Sequence, residues 1–244
     1  MRTRIHSGAS LLGTFLQTPS GVVSELVSGL GLDFVCVEAE HSGMGRETVQ
    51  ALVAAARCPA FVRVAQNASV EIAAALDAGA AGVIVPRVDS ADEAAAAVAA
   101  ARYPPEGARG LGPGRATGYG RTIADYFGRA NGEVAVGVQI ESVAAVEHIE
   151  EIVRVAGVDF VFIGPGDLTV SLGVPFGDPR VAAVIERVLA AAAGAGTPTG
   201  IWTPTAAQAA GWLQRGVQLV ILGSDLALLG DAVAQAVADA RAPR

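Results

Sequence analysis

The sequence predicts a (β/α)₈ barrel built as one domain over residues 1–244. Its 244 residues are 52% hydrophobic and 17% charged, which suits one large core better than two small ones. Short β-branched or aromatic runs alternate with alanine-rich helical stretches, a pattern typical of parallel strands joined by crossover helices. Eight such units at this length favour a closed barrel. An open doubly wound sheet is the alternative, but no G-x-G-x-x-G motif follows the first strand.

The first strand is predicted at residues 11–16, an apolar run that lacks the small-residue cleavage site of a signal peptide. Similar runs predict strands at 34–38, 60–64, 82–86, 134–140, 160–163, 199–202 and 219–222. Between and after them, helices are predicted at 21–29, 46–56, 70–78, 90–102, 143–155, 179–193, 205–214 and 225–240. Two segments interrupt the alternation, residues 103–126 and 164–178. The first is long and rich in glycine and proline, which indicates a functional loop.

The composition excludes several classes of chemistry. All 17 cationic side chains are arginines, so the chain cannot form a lysine Schiff base, a pyridoxal-phosphate aldimine or a P-loop lysine contact. The formal charge of −7 argues against nucleic-acid and anionic-membrane partners, and no stretch has 18 consecutive apolar residues. Cys36 and Cys58 lack metal-ligand spacing and are predicted to be buried, reduced thiols of a cytoplasmic protein. Small molecules are the expected partners.

Polar side chains follow several predicted strands, where a barrel of this type carries its active site. Glu141 and Asp167 end consecutive strands about 4.8 Å apart, so both carboxylates can reach one hard cation, although either alone is equally typical of a helix N-cap. Two carboxylates suit Mg²⁺ or Mn²⁺, with Co²⁺ as a third candidate. His41 is predicted to be a general base. Arg63 lies within a buried strand and needs an anionic partner, either a protein carboxylate or a substrate oxyanion.

Six motifs carry a resemblance to a known family. They are Glu-Ala-Glu-His-Ser at 38–42, Phe-Val-Arg-Val at 61–64, the run 76–86, Arg-Tyr-Pro-Pro-Glu-Gly-Ala-Arg-Gly at 102–110, Gln-Ile-Glu-Ser at 139–142, and the run 162–173. In kind and order they resemble the class II pyruvate aldolases of the HpcH/HpaI family. The resemblance implies barrels that assemble as hexamers of dimers with exchanged C-terminal helices. It also implies reversible cleavage of 4-hydroxy-2-oxo acids to an aldehyde and pyruvate, or hydroxypyruvate.

The resemblance also implies roles for individual residues. Glu141 and Asp167 match the metal ligands, His41 matches the base, and Arg63 matches the arginine that stabilises the enolate. The expected mechanism binds the oxo acid to the metal and uses His41, through a water molecule, to take the proton from the 4-hydroxyl group. The metal then does the work of an iminium ion, which is consistent with a chain without lysine.

Further residues match functional positions of the family, and for one of them the sequence leaves alternatives open. Gln139 and the backbone at Gly166 match positions that hold the oxo acid, together with Arg63 and Asp167. Asp77 matches an acidic position that raises the basicity of the histidine. Simple topology, however, places Asp77 at the end of a helix that enters the fourth strand, on the face away from the chemistry. Two acidic residues nearer in sequence to the histidine are the alternatives, Glu38 and Glu40.

The chain departs from the family pattern at two positions. Glu38 stands where the family usually has aspartate, and Gly118 stands where many relatives carry a second arginine. The aldehyde end of the site is predicted to be lined by Trp202, Leu222 and the loop 110–120.

The sequence leaves two other functions as alternatives. One is a citrate-lyase-like CoA-ester lyase, although the chain from Trp202 onward offers only three arginines for a pyrophosphate. The other is a non-catalytic barrel that binds an oxo acid.

The predicted helix 225–240 is apolar at helical spacing, which is typical of packing on the barrel wall. The resemblance instead implies that this helix packs on a partner subunit, and thus that the protein is a homo-oligomer. It also implies a role in aromatic compound catabolism.

Overall fold

The computed structural model describes residues 1–242, which form a closed barrel of eight parallel strands in chain order. The strands are β1 (Leu11–Leu16), β2 (Phe34–Glu38), β3 (Ala60–Arg63), β4 (Gly82–Val85), β5 (Ala135–Ile140), β6 (Phe160–Ile163), β7 (Thr199–Thr203) and β8 (Leu219–Ser224). β8 pairs with β1 and closes the sheet. The predicted (β/α)₈ fold is therefore confirmed, and each predicted strand end lies within two residues of the observed one.

Helices precede, connect and follow these strands. They are α1 (Arg2–His6), α2 (Gly21–Ser28), α3 (Arg46–Ala55), α4 (Ser69–Asp77), α5 (Ala91–Ala101), α6 (Ile123–Glu133), α7 (Val143–Glu147), α8 (Ile149–Ile152), α9 (Pro165–Ser171), α10 (Pro179–Ala195), α11 (Ala206–Gln214) and α12 (Asp225–Arg241). The helix predicted at 143–155 divides at His148 into α7 and α8. Three further helices, α1, α6 and α9, were not predicted from the sequence. Residues 103–126 also contain a 3₁₀ turn at Arg115–Thr117.

Aromatic rings fill the middle of the barrel. Phe61 meets Phe34 and Phe160 edge to face, with ring centroids 5.5 and 5.9 Å away. Gly137 of β5 makes room for these rings, because a Cβ at that position would lie 2.2 Å from the Phe160 ring. Since the middle is packed, polar side chains gather at the two ends of the barrel.

A buried carboxylate fastens the amino-terminal end. Asp159, directly before β6, accepts hydrogen bonds from Arg2 at 2.6 Å and Arg102 at 2.8 Å, and it pairs with His6 at 2.8 Å. Ile5 of α1 packs, fully buried, into the aromatic interior. α1 therefore closes this end, and the opposite, carboxyl end remains open for a site.

α12 leaves the barrel after a fixed first turn. The buried Asp225 carboxylate accepts hydrogen bonds from the backbone N–H groups of Gln17 and Thr18, at 2.8 and 3.0 Å. From Leu226 to Ala242 every residue is exposed, including five large apolar ones: Leu226, Leu228, Leu229, Val233 and Val237. The apolar face of α12 is thus not buried against the barrel of its own chain.

The cysteines are both free thiols, Cys36 inside the barrel and Cys58 only partly buried. Burial raises the pKa of both thiols. No helix among residues 1–242 has the length and apolar character needed to cross a membrane.

Candidate active site

A cavity of about 280 Å³ opens at the carboxyl end of the barrel. It contains four predicted site residues, His41, Arg63, Gly166 and Asp167. They come from the ends of β2 and β3 and from the first turn of α9, so closure of the sheet brings together groups that lie far apart in sequence. The remaining lining residues are Phe15, Gln17, Gly164, Pro165, Trp202 and Ser224.

Arg63 is held at this cavity by a buried carboxylate. The register of β2 and β3 places Glu38 beside Arg63, and Glu38 Oε2 lies 2.6 Å from Nε and 2.5 Å from Nη2 of the guanidinium. The guanidinium also lies over the Phe15 ring, 4.7 Å from its centroid. Burial lowers the pKa of Arg63, but the charges of Glu38 and Glu40 outweigh burial and hold the pKa above its ordinary value. Arg63 is therefore a fixed, permanently charged donor.

Glu38 also shapes the turn that carries His41. Its Oε1 accepts hydrogen bonds from the backbone N–H groups of Glu40 at 2.8 Å and His41 at 2.9 Å. The Ser42 hydroxyl donates to the Glu38 carbonyl at 2.5 Å and tightens the same turn. One buried side chain thus positions both the Arg63 guanidinium and the backbone of the predicted base.

Glu141, Gln139 and Asp167 converge on the backbone of Gly164. A Cβ at position 164 would lie 3.2 Å from Glu141 Cβ, 3.3 Å from Gln139 Nε2 and 3.6 Å from Asp167 Oδ2. Gln139 links this group to Arg63, because its Nε2 donates to Glu141 Oε2 and its Oε1 accepts from Arg63 Nη1 at 3.5 Å. Arg63, Gln139 and Glu141 are therefore connected by hydrogen bonds, and Asp167 lies beside the same glycine.

Negative charge accumulates around Glu141. Burial raises the pKa of Glu141 above its ordinary value, and the charges of Glu40 and Asp167 raise it further, against hydrogen bonds from the Arg87 N–H and Gln139. A cation relieves such repulsion, and carboxylate oxygens are the ligands that Mg²⁺ and Mn²⁺ prefer. Within residues 1–242, no three His, Cys, Asp or Glu side chains form a metal-binding cluster. Glu141 and Asp167 are the two carboxylates beside Gly164, and a cation held by them would take its other ligands from water and substrate.

His41 projects from the turn after β2, with about half of its side chain exposed. Its Nε2 lies 3.7 Å from Oε2 of Glu40, a buried oxygen that has no hydrogen-bond partner among the described residues. Burial raises the pKa of Glu40 above its ordinary value, while the charges of Arg63, His41 and Arg87 oppose the rise. Of the acidic residues considered for contact with His41, Glu40 is thus the one whose carboxylate lies beside the ring.

Residues 11–232 match the sequence model of the family described as HpcH/HpaI aldolase/citrate lyase. The chain belongs to this family. A hydroxypyruvate/pyruvate aldolase of Agrobacterium fabrum is 38% identical, over 92% of this chain and 87% of its own. A 4-hydroxy-2-oxovalerate aldolase of Rhodococcus jostii is also 38% identical, over 92% and 89%. The crystal structure of an HpcH/HpaI-family protein from Burkholderia cenocepacia superposes with a TM-score of 0.94 at 33% identity, covering 99% of this chain and 98% of that one.

Asp77 and the loop 110–120 lie at the amino-terminal end of the barrel, opposite the cavity. Asp77 ends α4, just before β4 begins, and its carboxylate accepts a hydrogen bond from Arg109 at 2.7 Å. Arg115 of the loop donates to the Ala78 carbonyl at 3.2 Å. A helix that enters a strand ends at the amino-terminal side of the barrel, opposite His41. Within one chain Asp77 therefore does not contact His41, and the loop 110–120 does not line the cavity as predicted.

Trp202 lines the cavity as predicted, whereas Leu222 does not. Leu222 packs in the layer between the strands and the helices, because alternate side chains of a strand point to opposite faces. The indole Nε1 of Trp202 donates to the Gly223 carbonyl at 3.2 Å, which fixes the ring. Pro165, Gly166 and Trp202 also border a larger, mainly apolar groove of about 620 Å³.

Arg87 contacts one of the predicted site residues, and the sequence did not indicate this contact. It follows β4 with a φ of 56°, a conformation that residues with a Cβ rarely adopt. Its backbone N–H donates to Glu141 Oε1 at 2.7 Å. Arginine carries no local signal for a left-handed conformation, so only the folded chain shows this contact.

Proposed function

We propose that this protein, an aldolase, reversibly cleaves 4-hydroxy-2-oxo acids to an aldehyde and pyruvate, or hydroxypyruvate. The observation that carries the proposal is the convergence of His41, Arg63, Glu141 and Asp167 at one end of a closed barrel. A base, a fixed guanidinium and a pair of carboxylates suited to a cation are the groups that carbon–carbon cleavage through an enolate requires.

The cation in this proposal is Mg²⁺ or Mn²⁺, with Co²⁺ as a third candidate, held by Glu141 and Asp167. When bound, it supplies Lewis-acid stabilisation of the negative charge that develops on the 2-oxo group. Gln139 orients Glu141 through its amide hydrogen bond, and the Arg87 N–H holds the other Glu141 oxygen. These two donors fix the carboxylate before any cation arrives.

Arg63 stabilises the enolate in this mechanism, because its guanidinium is locked by Glu38 and lines the cavity. A donor that is already fixed needs no rearrangement as the charge develops. Gly166, in the first turn of α9, contributes a backbone N–H, and Gln139, Arg63 and Asp167 complete the binding site for the oxo acid.

His41 removes the proton from the 4-hydroxyl group through a water molecule as the C3–C4 bond breaks, and this proton then passes to C3 of the enolate, which gives pyruvate or hydroxypyruvate. In the synthetic direction the proton moves from the donor carbon to the aldehyde oxygen. The exposed ring of His41 can reach a proton at the mouth of the cavity. The Glu40 carboxylate beside the ring stabilises the imidazolium that forms. The contribution of Asp77 to the basicity of His41 stays a prediction.

Incubation of the protein with Mg²⁺ or Mn²⁺, pyruvate or hydroxypyruvate, and a panel of aldehydes is expected to yield 4-hydroxy-2-oxo acids. Treatment with a chelator should abolish the reaction, and the cation should restore it, because the carboxylate pair loses its charge partner. Products are measured by mass spectrometry.

Full turnover after exhaustive chelation would refute the role of the cation. A protein that forms no carbon–carbon bond but binds pyruvate would instead be the non-catalytic barrel, and cleavage of a CoA ester alone would identify the CoA-ester lyase.

His41→Ala is expected to lower kcat by about 10²–10⁴-fold, the range for loss of a general base, and to leave the dissociation constant for Mn²⁺ unchanged. Calorimetric titration with Mn²⁺ and steady-state kinetics provide the two readouts. His148→Ala, on the exposed surface between α7 and α8, is the matched control and should change neither. Loss of Mn²⁺ binding without loss of rate would exchange the roles assigned to His41 and the carboxylates.

We further propose that residues 1–244 form a single aldolase domain and that the protein is a cytoplasmic homo-oligomer, a hexamer by family resemblance. The match over residues 11–232 supports the domain, and the two free thiols agree with the compartment. The exposed apolar face of α12 supports exchange of this helix between subunits, as do Val22, Leu26 and Leu30, which are exposed on and just after α2. A role in aromatic compound catabolism stays a prediction.

A further inference from the structure

Arg87 occupies a strained backbone position at the rim of the site. Its φ of 56° lies in the left-handed region, where the Cβ of an ordinary residue crowds the backbone. The conformation turns the N–H inward to Glu141, a contact that glycine could make without strain. The backbone contact alone therefore does not explain an arginine here.

The Arg87 guanidinium is only loosely engaged. Its side chain is 72% exposed, and in the described part of the chain it makes no hydrogen bond, only an ion pair with Glu40 at 3.5 Å. Two other exposed arginines on or near the same end of the barrel are hydrogen-bonded to carboxylates, Arg46 to Glu71 and Arg180 to Asp178, each at 2.8 Å. Arg87 thus keeps donors available that these arginines have already used.

The position of Arg87 relative to the base determines what those donors can reach. Glu40 lies between them, with one carboxylate oxygen 3.5 Å from Arg87 Nε and the other 3.7 Å from His41 Nε2. In the proposed mechanism His41 acts on the 4-hydroxyl group, and the carbon bearing this group becomes the aldehyde carbon. The Arg63 side chain, assigned to the oxo-acid end, is largely buried, whereas the side chains of His41 and Arg87 are exposed on either side of Glu40. In that mechanism a substituent on the aldehyde carbon that points to the Glu40 side of the mouth comes within reach of Arg87.

We propose that Arg87 determines specificity by binding an anionic group, such as a carboxylate, on the aldehyde half of the substrate. The inference rests on the proposed aldolase function and names its substrate class, acidic aldehydes. A planar guanidinium with free donors pairs with a carboxylate through two charge-assisted hydrogen bonds. The buried Glu40 carboxylate keeps the arginine at the rim until the anion arrives.

The competing explanation is that Arg87 only offsets the negative charges of Glu40, Glu141 and Asp167. The two explanations differ in a measurable way. Charge compensation acts on the site before the aldehyde binds, so its loss changes the kinetics with every aldehyde equally. Binding of an anionic group changes the KM only for the aldehydes that carry one.

The test compares two aldehydes of equal chain length, 4-oxobutanoate and butanal, in pyruvate addition by the full-length protein with Mg²⁺. Wild type is expected to prefer 4-oxobutanoate. Arg87→Gln and Arg87→Gly should each lower the ratio of kcat/KM for 4-oxobutanoate over butanal about tenfold, through the KM for 4-oxobutanoate. Arg46→Gln is the matched control, because it removes an exposed arginine that Glu71 already binds, and it should leave the ratio unchanged.

Thermal unfolding separates a folding defect from a binding defect. Arg87→Gly should unfold at a temperature no lower than wild type, because glycine adopts a φ of 56° without strain. An unchanged ratio in both Arg87 variants, or equal losses with both aldehydes, would overturn the role of Arg87 while the aldolase function stands. If wild type adds pyruvate to neither aldehyde nor to any other in the panel, the proposed function fails, and the inference fails with it.

Discussion

Glu141→Gln is expected to abolish measurable binding of Mn²⁺ and to lower kcat/KM about 10³-fold, equivalent to about 4 kcal/mol of transition-state stabilisation. The substitution removes one of two carboxylates assigned to the cation and preserves the shape of the side chain. An amide oxygen can still accept the hydrogen bond from the Arg87 N–H. The amide nitrogen of the substituted side chain then faces Gln139 Nε2, so the Gln139 amide must turn over and give up its contact with Arg63 Nη1. Apart from this exchange of hydrogen bonds, the expected loss is a loss of charge at the cation site.

The stability of the cation-free protein distinguishes this outcome from misfolding. Folding raises the pKa of Glu141, so the ionised carboxylate is less favourable in the folded than in the unfolded chain near neutral pH. Glu141→Gln should thus unfold at a urea concentration no lower than wild type. Glu47→Gln, which changes an exposed carboxylate on α3, is the control and should alter neither activity nor Mn²⁺ affinity. Retention of Mn²⁺ binding by the Glu141 variant would remove Glu141 from the proposed ligand set.

The strands were predictable because their physical signal is local. Runs such as Phe34–Glu38 are buried on both faces and bounded by turn residues, and their ends agree with the sequence pattern. Helices α1 and α6 give a weaker signal. α1 has five residues and depends on ion pairs with the distant Asp159, while α6 contains Gly128 and Gly132, which disfavour helix. Pro165 does mark a helix start at α9, but the surrounding glycines favour a loop interpretation.

The polar residues at the strand ends were predictable from the sequence, but their connections were not. Strand ends indicated His41, Glu141 and Asp167, because the barrel brings those ends together. The partner of Arg63 depends on register, since β2 and β3 must align so that Glu38 and Arg63 become neighbours. No local pattern encodes that alignment. The same holds for Glu40, whose position beside His41 depends on the turn that Glu38 holds.

The pairing of Glu38 with Arg63 leads to the second large expected effect. Arg63→Met should lower the free energy of unfolding by about 3–5 kcal/mol, because it leaves the fully buried Glu38 carboxylate without its charge partner. It should also lower kcat/KM about 10²–10³-fold, the range for loss of one fixed donor to a developing oxyanion. Urea unfolding and steady-state kinetics measure the two effects, but the single variant cannot separate them.

The double variant Arg63→Met/Glu38→Gln separates them. The neutral amide that replaces the Glu38 carboxylate can still accept hydrogen bonds from the N–H groups of residues 40 and 41, so the turn that carries His41 is retained and no unpaired charge is buried. We therefore expect most of the lost stability to return while activity stays low, because nothing in the double variant replaces the guanidinium at the cavity. If activity returned together with stability, Arg63 would serve only to neutralise Glu38, and enolate stabilisation would have to come from another group.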